Sequence, residues 1–242
     1  MFQQILVLAL APFIGSFVGV IVRRLPIGLP IALDRSRCEH CHRTLSLVDL
    51  VPILSFLWLR GRCRQCGTRI SPMHLGLELA AIAVATSAIL VELDPAILWV
   101  DCVLGWTLLA LACIDWTHLR LPDVLTLPLL LAGLAATAAL DPGLASDHAA
   151  AAAVGYLALR LLGWAYQAWR GREGLGGGDA KMLAAAGAWV GLEGLGPTIL
   201  IAALMGITVT ALQGRGLRAN TVVPFGTFLA LGTWLTRLYV EH

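Results

Sequence analysis

The chain has 242 residues, 58% of them hydrophobic and only 13% charged, with a net charge of +2 and a mean hydropathy of +0.81. Ordinary soluble domains carry charge on about a quarter of their residues, so this composition excludes a soluble fold and predicts an all-α polytopic membrane protein. The net charge is small and no nucleic-acid partner is expected; what matters in a membrane chain is where Lys and Arg lie.

A membrane span needs about 20 mostly apolar residues. The first candidate, about residues 3–22, has the apolar length of a signal peptide, but no basic residue precedes it and Arg23 and Arg24 follow it. It is therefore expected to stay as an uncleaved helix with its N-terminus outside. A polar insertion, 23–72, comes next. Seven further spans are predicted near 73–91, 96–114, 122–140, 149–169, 180–194, 197–213 and 221–239; that at 180–194, the sixth of the eight, is short and punctuated by glycine. The expected organisation is a first transmembrane helix (1–22), a cytoplasmic insertion (23–72) and a membrane domain (73–242), about eight helices in all.

The connectors give the orientation. The segment 23–72 holds nine arginines against three acidic residues, and the connectors 118–120, 170–173 and 214–218 also carry Arg. The alternate connectors, with Glu92 and Asp94, Asp141 and Asp147, and Glu193, have neither Lys nor Arg. The positive-inside rule places the basic side in the cytoplasm and both termini outside. Arg160, inside the fifth span, and Arg237, near the outer end of the eighth, do not fit this pattern.

The insertion contains Cys38-Glu-His-Cys41 and, after 21 residues, Cys63-Arg-Gln-Cys66. Two such knuckles offer four thiolates to a tetrahedral zinc in a closed structural site. A reducing cytoplasm disfavours the alternative of two disulfides. His40 and His42 are alternative ligands but read as bystanders. A segment of about 50 residues needs a staple of this kind to fold. Cys102 and Cys113 lie in apolar runs and read as packing residues.

Acidic groups at the cytoplasmic helix ends are the second chemical feature. Asp179 follows Gly176-Gly177-Gly178 at the start of the sixth span, while Asp115 closes the third span and Asp123 opens the fourth. Charged groups at this depth are costly and usually functional. Two carboxylates meeting across a helix bundle share a proton, so one acts as base toward water and the other as acid toward a carbonyl, the chemistry of an aspartic protease. Glycines beside such a carboxylate let a substrate backbone approach. The plainer readings are that Asp179 is an N-cap, that Asp123 caps the fourth span after Pro122, and that Lys181 snorkels.

The stretch 176–179 fits the G-x-G-D signature of intramembrane aspartic proteases. Together with I-D-W-T-H-L-R-L-P-D-V-L-T-L-P (114–128), D-A-K-M-L-A-A-A-G-A-W-V-G (179–191), G-S-F-V-G-V-I-V-R-R-L-P (15–26) and V-P-I-L-S-F-L-W-L-R-G-R-C-R-Q-C (51–66), it resembles the type IV prepilin leader peptidases over almost the whole chain. That resemblance implies Asp115 and Asp179 as the catalytic pair, with Asp123, Lys181, Gly176 and Gly178 in support. It implies cleavage of the leader from prepilins or pseudopilins on the cytoplasmic face of the bacterial inner membrane. In many members S-adenosylmethionine-dependent N-methylation follows, an activity associated with the cysteine region. The pattern departs at Gly19, where the family usually has asparagine, at Glu39, where it has proline, and around Met73 and His74; Glu78 is retained. The residues taken alone also allow a transporter or channel that relays ions through border carboxylates, or a zinc-stabilised scaffold without catalysis.

Overall fold

The computed structural model describes residues 1–31, 35–171, 176–212 and 223–239. The basic connector 214–218, Glu173 and the first residues of the expected eighth span lie outside them. Eight helices follow in order: α1 (Phe2–Arg24), α2 (Leu54–Trp58), α3 (Met73–Val91), α4 (Pro95–His118), α5 (Asp123–Leu140), α6 (Ala145–Arg170), α7 (Gly177–Leu212) and α8 (Phe225–Tyr239). Among the described residues β-structure is confined to two isolated bridges, Arg37 with Thr44 and Arg62 with Arg69.

Six helices of the described chain are long and apolar enough to cross a membrane, and α7 accounts for two of the expected spans. Its 36 residues would extend about 54 Å, well beyond a hydrocarbon layer of about 30 Å. The sequence predicts a break between 194 and 197; the structure breaks at Gly191 instead, with φ 61° and ψ −173°. Only glycine adopts that conformation without strain. The Asp147 carboxylate then accepts the Leu192 N–H at 2.9 Å and so restarts the helix. Helix α8, at 15 residues, is shorter than the expected eighth span. The chain is a multi-pass membrane protein.

The fold divides into two compact units, Met1–Ala110 and Leu111–His242, with the boundary inside α4. In the first, α1 lies against α3 where a Cβ on Gly15 would come within 2.6 Å of Glu78 Cα. Close contact through a small residue is how helices associate where lipid removes the hydrophobic drive. The Trp106 indole N–H, donated to the Ala81 carbonyl at 3.0 Å, ties α4 to α3.

In the second unit α7 is the central element. Gly187 meets the backbone of α6 so closely that a Cβ would lie 2.5 Å from the Ala151 oxygen. Gly232 of α8 approaches the Thr198 oxygen to the same distance. The Trp189 indole donates to the Leu129 carbonyl of α5 at 2.8 Å, and its ring occupies the space a side chain at Gly133 would need. Small residues and polar side chains directed at backbone carbonyls bring these helices close around buried apolar side chains such as Ile114, Met182, Leu183 and Leu229.

Candidate active site and metal centre

Helix α4 runs one turn further than the sequence suggests, through His118, and stops where Leu119 takes a left-handed φ of 52°. Asp115 therefore sits within its last turn and is buried. Its Oδ2 accepts the Thr227 N–H at 2.8 Å, and the Gly226 N–H also donates to this carboxylate. Both amides belong to the first turn of α8, where backbone donors have no intrahelical partner and the helix dipole favours negative charge. The Thr227 hydroxyl lies 3.4 Å from Oδ2 and is 2.9 Å from the Ala112 carbonyl, so its proton goes to the carbonyl and the amides are the principal donors.

Asp179 lies in the first turn of α7, two residues after its start at Gly177. Its carboxylate accepts the Gly176 N–H, a reach back to the residue before the helix like that of a capping box. The cap reading thus describes one of its bonds, yet the carboxylate is also close enough to Asp115 to feel its charge. Leu121 fills the space beside them. A Cβ on Gly178 would meet Leu121 Cβ at 3.1 Å, and one on Gly226 would meet Leu121 Cδ1 at 2.7 Å and Asp115 Oδ2 at 3.0 Å. Glycine at both positions lets the two carboxylate-bearing segments and the loop close on one another.

The supporting residues take a different arrangement from helix capping and snorkelling. Pro122 is the N-cap of α5 and makes no side-chain bond there; Asp123 is the first helical residue. Lys181 Nζ reaches both oxygens of Asp123 at 2.7 Å. The pair clamps the beginning of α5 to the first turn of α7 and so closes the loop that carries Leu121. Arg160, anomalous as a membrane residue, extends its guanidinium toward the start of α7, 3.8 Å from where a Cβ on Gly177 would be. Of the predicted residues, Asp115, Asp179, Asp123, Lys181, Gly176 and Gly178 all belong to this one region of the second unit. Sequence reasoning missed Gly226, Thr227 and Leu121. The signal for the first two was a Pro-Phe-Gly-Thr helix start at 224–227, which nothing in the spacing connects to Asp115.

The cysteine knuckles are built alike. In one, Cys38 N–H bonds to Arg43 O and His42 N–H to Cys38 O; in the other, Cys63 N–H bonds to Thr68 O and Gly67 N–H to Cys63 O. His42, with φ 56°, therefore occupies the place of Gly67, with φ 69°, and supplies a turn of backbone rather than a ligand. The sulfurs of Cys38, Cys41, Cys63 and Cys66 all lie within 4.8 Å of one another, and none is disulfide-bonded. Arms of about 2.3 Å in a tetrahedron separate sulfurs by about 3.8 Å, and Cys38 and Cys66 are 3.8 Å apart. The donor set fits a metal ion. Hydrogen bonds from the Thr68 side chain and backbone pull the Cys66 thiol down to about 6, toward the thiolate that a metal requires. Among the described residues Arg43 also bonds Gln65 at 2.8 Å, joining the two knuckles.

Two family models match successive parts of the chain. Residues 9–92 match the bacterial peptidase A24 N-terminal domain, and residues 102–211 match the type IV leader peptidase family. The chain is 36% identical to the prepilin leader peptidase/N-methyltransferase of Aeromonas hydrophila, over 97% of this chain and 90% of that protein. It is 38% identical to the protein of the same name from Dickeya chrysanthemi, over 94% and 87%. With that of Burkholderia pseudomallei strain K96243 the identity is 39%, over 95% and 83%. No solved structure matches it. On these similarities the chain belongs to the type IV leader peptidase family.

Proposed function

We propose that the protein is an aspartic endopeptidase of the bacterial inner membrane that removes the leader of a type IV prepilin or pseudopilin at the cytoplasmic border. The observation that carries this reading is that Asp115 and Asp179 lie near enough for the charge of one to act on the other, in a chain of this family. A close carboxylate pair holds one proton between its members. With a water between them, one carboxylate takes the water's proton as its oxygen bonds to the scissile carbonyl carbon, while the other gives its proton to the carbonyl oxygen. Collapse of the tetrahedral intermediate breaks the C–N bond: the proton taken from water passes to the leaving nitrogen, and one hydroxyl of the intermediate returns its proton to the carboxylate that protonated the carbonyl oxygen.

The chain's own groups serve that step by position. The amides of Gly226 and Thr227 fix the Asp115 carboxylate, the Gly176 amide fixes that of Asp179, and the Lys181–Asp123 pair fixes the loop beside them. The substrate's own apolar helix lies alongside the spans. Arginines of 23–72, on the positive-inside rule, put the insertion and both aspartates on the cytoplasmic side. The transporter, channel and scaffold readings gain no support from the relatives.

Zinc is the metal proposed for Cys38, Cys41, Cys63 and Cys66, because four thiolates in a tetrahedron leave no open position and make a structural site. Such an ion supplies folding free energy to the insertion. The relatives' name also includes N-methylation, which we assign to the newly exposed N-terminus of the same substrate, with S-adenosylmethionine as methyl donor. No glycine-rich nucleotide loop is recognisable in the sequence, and the peptidase step does not involve that cofactor. Incubating membranes that contain the protein with a prepilin and weighing the product tests the reading. Loss of the leader is expected, with the mass of one further methyl group if both activities are present; an intact prepilin would overturn the proposal.

A further inference from the structure

The insertion carries an apolar surface that the peptidase chemistry does not use. In α2, Leu54, Leu57 and Trp58 are 65%, 60% and 87% exposed, and Leu47 and Val48, in the turn packed against α2, are exposed as well. Five large apolar side chains outside a folded core need an apolar partner. The depth at which the first unit holds α2 identifies it.

Ile53, the residue before α2, donates its backbone N–H to Glu78 Oε2 at 2.7 Å. Its φ of 61° is an outlier for a β-branched residue, so the bond holds the chain against strain. Glu78 is buried in the second turn of α3, five residues after Met73. Helix α3 has 19 residues, about 28 Å of length against about 30 Å of hydrocarbon, so all of it is needed for the crossing. Glu78 thus lies about 7.5 Å beneath the start of the span. The other anchor agrees: Ser16 of α1, which hydrogen-bonds Glu78, is seven residues, about 10 Å, below Arg23. The Glu78 side chain leans back toward the start of α3, so the chain entering α2 is held down at the membrane border, not clear of it.

We propose that α2 is an interfacial anchor whose Leu54, Leu57 and Trp58 enter the acyl-chain border of the leaflet on the insertion side. Arg60 and Arg62, which follow at once, meet the anionic headgroups. Charge agrees with that partner, since 23–72 carries nine arginines against three acids, and basic segments beside a span are attracted to an anionic leaflet. Tryptophan at the end of such a helix suits the same boundary, where an apolar ring and a polar N–H are both satisfied. The inference is independent of the peptidase chemistry and rests on the spans and the Ile53–Glu78 bond.

The test uses the full chain in phosphatidylethanolamine/phosphatidylglycerol vesicles, with Trp58→p-benzoylphenylalanine, irradiated with and without prepilin and analysed by mass. Phospholipid adducts are expected in both conditions, at least fivefold above those from Arg43→p-benzoylphenylalanine in the knuckle. Adducts to prepilin or to another part of the chain in place of lipid would overturn the proposal. A second measurement avoids the photoreactive side chain: the fluorescence lost in Trp58→Phe is expected to be quenched at least twofold more by brominated acyl chains than by iodide. Stronger quenching by iodide would contradict insertion.

Discussion

Thr227 donates its backbone N–H to Asp115 at 2.8 Å across a sequence separation of 112 residues, and this bond makes α8 part of the proposed active site. Gly226 is the neighbour that permits it, because a methyl group there would press on Leu121 at 2.7 Å and on the carboxylate at 3.0 Å. Gly226→Ala is expected to lower kcat/KM for prepilin cleavage on the order of 100-fold, as displacements of catalytic groups by about 1 Å do. Thr227→Val keeps the amide and loses the hydroxyl bond to Ala112, so it is expected to cost about 1 kcal/mol of stability in detergent. Thr227→Ser restores that bond and the stability.

The Lys181–Asp123 pair is partly exposed, at 35% and 55% of the side chains. Solvent screening therefore limits what it contributes to stability to less than about 1 kcal/mol. Its larger effect is expected on the loop of Leu121, with Lys181→Met slowing cleavage by up to about tenfold. The exchanged variant Asp123→Lys/Lys181→Asp should recover part of the rate in the same assay.

Metal content separates ligands from backbone in the knuckles. Cys63→Ser is expected to lose the metal, measured by elemental analysis of the purified protein, and to expose the insertion to protease. His42→Gly is expected to keep full metal content, since His42 stands where the second knuckle has Gly67. Loss of metal in His42→Gly would make the imidazole a ligand.

Acid is expected to empty the proposed metal site, because its thiolates must be deprotonated to bind. The Cys66 thiol is depressed from its ordinary 9.0 to about 6 by Thr68. A group depressed in the folded state contributes stability that is present above its unfolded value and lost as pH falls through the folded one. Between 9 and 6 the Cys66 thiolate is increasingly a product of the fold, and a bound metal, which competes with protons for the same sulfur, keeps it deprotonated to lower pH still. A metal indicator should report retention at neutral pH and release only once the pH falls below about 6, where Cys66 without metal is already protonated.

Much of this was legible in the sequence because its signals were local. Apolar length marked the membrane helices, although two expected spans run together in α7; the Cys-x-x-Cys spacing marked the cysteine cluster, and the glycines before Asp179 marked a helix start in the proposed active site. What escaped depends on contacts distant in sequence. Gly191 was one glycine among several until Asp147, on another helix, was seen to cap Leu192. Asp123 followed by an apolar run reads as a cap, because its bond to Lys181 spans 58 residues and leaves no trace in spacing. Thr227, in an apolar run, gave no sign that its amide would meet Asp115.

Cleavage of a prepilin by Asp115→Asn and by Asp179→Asn, each verified as folded in the membrane, tests the dyad most directly. Neither substitution changes side-chain size appreciably, so each removes the acid–base function while leaving the helix ends in place. Each variant is expected to leave the prepilin at its full mass under conditions where the unaltered protein processes it completely. Normal processing by either variant would contradict the assignment of Asp115 and Asp179 as the catalytic pair.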